Sequence, residues 1–224
     1  MQPHRSSRLA PGAWVLLGMA AAALAASPAA ADPVLGFRED WNGASTNGWI
    51  GGGASGMALS NPGTDGSLGS GDGYLRLELG TDGSFGSRSS GSAYAGNWIA
   101  AGIEQVRVSL NDLGAPDAFE IHFCIGNASN LWQYDVGFSP PNGAWQQFYV
   151  DLTNEAAFTR ILGSGTFSQA LQSADRIQFR NDRAPYVQEP DPVHGDLGLD
   201  RVILTAIVTA APRSTWGRIK QLYR

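Results

Sequence analysis

The sequence predicts an all-β protein, an antiparallel sandwich or barrel with a short C-terminal helix. Three features predict it: short runs of β-type residues that alternate in period two, turn-forming segments of Gly, Asn, Asp and Ser between them, and helical patterning in only two short stretches.

The runs follow one another along the chain. "GMALS" begins at Gly56, "GYLRLELG" at Gly73, "IEQVRVSL" at Ile103 and "FEIHFCIG" at Phe119. "LWQYDVGF" begins at Leu131, "WQQFYVDL" at Trp145, "DRIQFRN" at Asp175 and "LGLDRVILTAIV" at Leu197. Between the early runs lie "NGWIGGGASG", "NPGTDGSLGSGDG" and "LGTDGSFGSRSSGS", whose residue types favour turns. "SQALQSA" (168–174) and the last dozen residues have helical patterning.

Alternation sets which side of each strand is buried, because successive side chains point to opposite faces and a one-residue slip would invert them all. In "FEIHFCIG" the inward set is Phe119, Ile121, Phe123 and Ile125, with Glu120, His122 and Cys124 opposite. Val106, Val108 and Leu110 turn in while Gln105, Arg107 and Ser109 turn out. Phe148, Val150 and Leu152 leave Trp145, Gln147, Tyr149 and Asp151 outside. Trp132, Tyr134, Val136 and Phe138 oppose Gln133 and Asp135; Ile177 and Phe179 oppose Arg176, Gln178 and Arg180. If these five strands share a sheet, the outward residues form one polar face bearing two aromatic rings. Aromatic faces cover the apolar faces of pyranoses while planar Arg, amide and carboxylate groups bond hydroxyls. The expected ligand-binding set is therefore Trp145, Tyr149, Gln147, Arg107, Glu120, His122, Gln178 and Arg180. The plainer reading of the same pattern is the solvated face of an antiparallel sheet.

Residues 1–31 read as a secretory signal peptide. Arg5 and Arg8 precede a 15-residue apolar run, "GAWVLLGMAAAALAA", too short to span a bilayer, and "AAA" before Asp32 suits cleavage. The expected location is secreted or cell-surface, in a bacterium, because the chain has one cysteine, Cys124, and no internal disulfide. Residues 32–211 suit one domain.

The chain has 15 basic and 20 acidic residues. Without Arg5, Arg8 and the four basic residues after Pro212, 9 basic face 20 acidic, a net charge of about −11 with no lysine. Such a body repels phosphate backbones, which argues against nucleic acid as a partner. The tail, 212–224, reverses the sign. Trp216, Ile219 and Tyr223 recur at helical spacing with Leu222 beside them, while Arg218, Lys220 and Arg224 face elsewhere. A basic amphipathic helix of this kind suits a membrane surface or a sorting partner. It is too short and charged to cross a membrane.

Catalytic patterns are lacking. Glycoside hydrolysis needs two carboxylates at set spacing, and no acid-rich strand run supplies them. Nor is there a Gly-x-Ser-x-Gly elbow, a phosphate loop or a His-Glu-x-x-His helix. "YVQEPDPVHGD" concentrates Glu189, Asp191, His194 and Asp196, but its prolines mark a loop that at most frames one end of a cleft.

Several segments resemble a known family. "FREDWNGASTNGWIGGG" resembles the opening of jelly-roll carbohydrate-binding and laminin B-like domains, and "NPGTDGSLGSGDGYLRLEL" a laminin B-like segment with an insertion. "YAGNWIAAGIEQVRVSLNDLGAPDAFEIHF" is similar to the middle of bacterial exported laminin B-like proteins, and "GDLGLDRVIL" to the closing strand. The resemblance implies a two-sheet jelly roll, usually non-catalytic, in which a structural calcium often joins the first and last strands. Carried over from the carbohydrate-binding branch, it would place that ion at Glu39 or Asp40 together with Asp200. The tail resembles "TWGxIKxLYR" ends of exported bacterial proteins. The expected function is a non-catalytic module for extracellular or cell-envelope glycan. The other reading is a structural, cell-surface interaction protein attached or sorted through its tail.

Overall fold

A computed structural model describes residues 33–52 and 56–207. The segment read as a signal peptide, 1–31, and the basic tail, 212–224, therefore lie outside the described residues. In chain order the strands are β1 (Arg38–Glu39), β2 (Ile50–Gly51), β3 (Ala58–Ser60), β4 (Leu75–Ser84), β5 (Gly86–Ser89) and β6 (Gln105–Asp112). They continue with β7 (Ile121–Asn127), β8 (Asn130–Tyr134), β9 (Gln146–Asp151), β10 (Phe158–Gly163), β11 (Arg176–Asn181) and β12 (Pro192–Thr205). Among the described residues one α-helix, α1 (Phe167–Gln172), lies between β10 and β11, where the sequence pattern places it, and a short 3-10 turn, Glu155–Ala157, precedes β10. Thr166 starts it with a capping box closed by Gln169. No helix among the described residues is long and apolar enough to cross a membrane.

The strands form two antiparallel sheets. The first has the order β3-β4-β12-β6-β9, with β1 added to β12; the second runs β10-β8-β7-β11-β5-β2. The chain crosses repeatedly between the layers, as in a jelly-roll sandwich, although β3 and β4, β7 and β8, and β10 and β11 follow one another within one sheet, and the space between is filled from both sides. Ile121, Phe123, Ile125, Ile177 and Phe179 of the second sheet meet Val106, Val108, Leu110, Leu197, Leu199 and Val202 of the first, all nearly or wholly buried. Each such side chain contributes roughly 1.5–3 kcal/mol. The inward sets read from alternation in β6, β7, β9 and β11 are those of the structure. Val136 is the exception: β8 ends at Tyr134, and Val136 is 52% exposed in the turn that follows.

Pairing corrects the idea of one polar face. β6 and β9 lie in the first sheet, whereas β7, β8 and β11 lie in the second. Their outward residues therefore occupy opposite outer surfaces. Alternation fixes which side of a strand meets the core; it carries no information about which of two layers holds the strand, because both present a polar outer side.

Candidate functional site: a cleft on the second sheet

The outer face of the second sheet carries a cleft of about 290 Å³. Its floor follows from register. Gln178 lies opposite Arg88 on one side and Cys124 on the other, and Cys124 lies opposite Gln133. Ile50 lies opposite Arg88 at the sheet edge. Arg176 and Arg180 are two residues from Gln178 along β11, so they share its outward side. Leu131 and Leu162 supply the apolar part of the lining. Gly86 keeps the floor low beside Arg180: a Cβ there would sit 2.8 Å from both Arg180 Cβ and the Phe179 carbonyl oxygen.

One wall is the segment between β11 and β12. Arg180 is 2% exposed and anchors it. Its Nη1 donates to the Gln188 carbonyl at 2.7 Å, and Nη2 donates to Val187 O and to the buried Asp182 carboxylate. Arg180 Nε is buried with no partner. Tyr186 lies on the His122 ring at a centroid distance of 5.0 Å and donates from its hydroxyl to Asp135 O at 3.1 Å. Glu189 reaches the cleft and accepts from Ser84 Oγ at 2.7 Å. Arg176 is held by Asp175, at 2.6 Å from Nε, which raises the guanidinium pKa further.

The predicted site residues separate into groups. Gln178 and Arg180 line the cleft. His122 is sealed under the wall with no exposure; its Nδ1–H donates to Tyr134 O at 2.7 Å, and Nε2 lies 3.3 Å from Glu120 Oε1. Glu120 and His122 therefore brace the wall from behind. Arg107, Gln147, Tyr149 and Trp145 belong to the opposite surface and form no part of this cleft. There Tyr149 is 50% exposed, donates to Gln147 Oε1 at 2.7 Å, and lies under the Arg107 guanidinium at 5.7 Å. Trp145 is partly buried. It lies edge-on to Tyr74, donates to Asp65 O at 3.1 Å, and covers β12 at Gly198, where a Cβ would fall 2.7 Å from Trp145 Cη2.

Arg88 was missed in sequence because "GSRSS" reads as turn and lacks apolar alternation. Arg176 reads as outward, but only pairing shows it converging with Arg88. Gln188 and Glu189 sit in the loop expected to frame a cleft, and they do so.

Cys124, on the floor row, is wholly buried. Burial pushes its thiol up to about 12, and it faces Gln133 Oε1 at 3.6 Å. It remains a thiol at neutral pH, with no nucleophilic character.

The residues that the resemblance assigns to calcium differ in their surroundings. Glu39 is the most heavily committed of the three: Oε1 accepts from Asn47 Nδ2 at 2.7 Å, and Oε2 from Tyr94 OH at 2.9 Å and Trp49 Nε1 at 3.2 Å. Asp40 fits better, since Arg38 occupies only Oδ2 and Oδ1 is buried without a partner. Glu39 pairs with Val202, so register brings Asp40 beside the bulge that begins at Asp200. Asp200 is wholly buried, and burial, with Asp72 near it, pushes its carboxyl up to about 6; Ser67 N–H and Arg201 N–H donate to it. Among the described residues no three His, Cys, Asp or Glu side chains group as ligands.

No protein-family profile matches the chain, and no curated protein matches it. Solved structures do. The carbohydrate-binding module CtCBM11, studied in solution, aligns with a TM-score of 0.51 at 14% identity over 78% of this chain and 98% of its own. An exo-β-agarase aligns with a TM-score of 0.54 at 11% identity over 77% of this chain but 25% of the agarase. The CBM22-1 xylan-binding domain from Paenibacillus barcinonensis Xyn10C aligns with a TM-score of 0.46 at 12% identity, covering 78% of this chain and 99% of that one. At these identities the likeness shows the fold, a two-sheet jelly roll.

Proposed function

We propose that this chain is an exported, non-catalytic carbohydrate-binding module that holds extracellular or cell-envelope glycan in the cleft of its second sheet. The observation that carries this reading is the cleft itself. Planar hydrogen-bonding groups of Arg88, Arg176 and Gln178 converge over a floor with apolar patches at Leu131 and Leu162. Such alternation of polar and apolar lining suits a sugar, whose ring edges carry hydroxyls and whose faces are apolar. The jelly-roll fold shared with CtCBM11 supports the reading.

The lining also speaks for binding without chemistry. Glu189 is its sole carboxylate, and retaining or inverting hydrolysis requires a pair. His122 is sealed, and Cys124 keeps its proton. A glycan microarray followed by affinity electrophoresis tests the proposal. Wild type is expected to bind at least one glycan, Gln178→Ala to weaken that binding, and Tyr149→Ala to leave it unchanged. Absence of binding to any glycan, or loss with Tyr149→Ala alone, would overturn it.

A further inference from the structure

Resting on that reading, we infer that the cleft selects acidic glycan, in which sugar units bear carboxylate or sulfate groups, over neutral glycan. Charge placement is the first ground. Residues 32–212 hold nine basic residues against 20 acidic ones, yet Arg88, Arg176 and Arg180 all line this one cleft, with Glu189 the sole acid among its lining residues. An acidic protein has concentrated a third of its body's cations in one concavity.

The pairing of each guanidinium is the second ground. Arg180 is neutralised by Asp182 and serves the wall, although its Nε lies buried with no partner. Arg176 is held by the half-exposed Asp175. Arg88 has no ion pair among the described residues, and β-sheet register holds it opposite Gln178 on the floor. Its neighbours in register, Ile50 and Gln178, carry no charge to compensate it. An unpaired guanidinium on the strand next to a neutral amide matches a carboxylate or sulfate, which takes two parallel N–H···O bonds from one and a further donor from the other.

The third ground is what the lining holds in place of rings. Neutral pyranoses are commonly gripped by stacking on exposed aromatic faces. The single aromatic side chain that lines this cleft, Phe179, is wholly buried and belongs to the core. Charge-assisted bonds are about twice as strong as neutral ones and supply grip where stacking does not. The acidic body opposes a polyanion at long range, but that repulsion is screened beyond roughly 8 Å at physiological salt, whereas contacts inside the cleft are not.

The test uses pairs of polymers that share a backbone and differ in charge: polygalacturonate and alginate against their methyl esters, and a sulfated galactan against its desulfated form. Single-stranded DNA serves as a polyanion without sugar-borne carboxylate or sulfate. Affinity electrophoresis and calorimetry on the full chain are expected to show binding to at least one acidic polymer and roughly tenfold or weaker binding to its neutral counterpart. Arg88→Gln is expected to abolish that difference, while Arg88→Lys retains part of it. The carboxylate and sulfate arms separate the two anion sources. Equal binding of charged and neutral partners, no effect of Arg88→Gln, or equal binding of DNA would overturn the inference. Neutral glycan bound at least as tightly as its acidic counterpart, and in a manner weakened by Gln178→Ala, would overturn it and leave the proposed function standing. Binding to no glycan would overturn both.

Discussion

Asp182→Asn isolates the ion pair on which the cleft wall depends. Asp182 is wholly buried and Arg180 is 2% exposed, so the substitution keeps the shape and leaves a guanidinium in the interior without its counter-charge. Removing one partner of a buried pair costs about 3–5 kcal/mol. For a domain of this length each kcal/mol moves the melting midpoint by roughly 2–4 °C, so calorimetry should show a fall of about 6–20 °C. The paired variant Arg180→Met with Asp182→Leu removes both charges and should regain at least about half of that loss. It should not regain all, because the Val187 and Gln188 carbonyls lose their donor. A fall under about 2 °C in Asp182→Asn would mean that those two carbonyls alone hold the guanidinium. A double variant as unstable as the single one would show that uncompensated charge is not the cause. Either result refutes the account of the wall.

Three further outcomes follow from other parts of the molecule. Trp145→Ala should lower stability by about 1–2 kcal/mol, since a half-buried ring forfeits part of the 3–5 kcal/mol of a buried one, yet leave glycan binding intact. Reduced binding in the folded variant would place ligand on the first sheet. Cys124 should resist a thiol reagent at pH 8 until denaturant is added. Its folded pKa of about 12, against a usual 9.0, means that the unfolded chain loses the proton first, so this group's contribution to stability holds below pH 9 and is lost as pH rises toward 12. Rapid labelling of the folded protein at pH 8 would contradict the burial. Finally, we propose calcium at Asp40 and Asp200 without Glu39: millimolar calcium should raise the melting midpoint over that in chelator, Asp40→Asn should remove the increment, and Glu39→Gln should retain it. Equal midpoints with and without the ion would remove the metal from the account.

The layers of this fold were legible in sequence to unequal depth, and the reason is physical. Hydrophobic burial acts on every residue of a strand, so "IEQVRVSL", "FEIHFCIG" and "DRIQFRN" each announce an inner and an outer side, and β6, β7 and β11 obey them. The short strands β1, β2 and β5, and the six-residue β10, left weaker traces. β5, "GSRS", has no apolar alternation because Ser87 and Ser89 fill its inward positions, so its place in the sheet is set by hydrogen bonding to β11 rather than by side chains.

That difference explains which of the residues lining the cleft stand out in the sequence. Gln178 and Arg180 were found because β11 advertises its outer side. Arg88 was not, because its strand does not advertise itself, and Tyr149 was gathered in because its outer side resembles any other. A binding face in a sandwich is a property of strand neighbours, and neighbours are chosen by long-range pairing between segments far apart in the chain. Gly86 gives one local clue after the fact: it sits against Arg180, and only a residue without a Cβ lets β5 approach closely enough to bring Arg88 alongside Gln178. Gly86→Ala should therefore disturb the charged floor as well as the packing. Restoration of wild-type binding by a smaller residue at 180 would not follow, since Arg180 is also the residue that holds the wall.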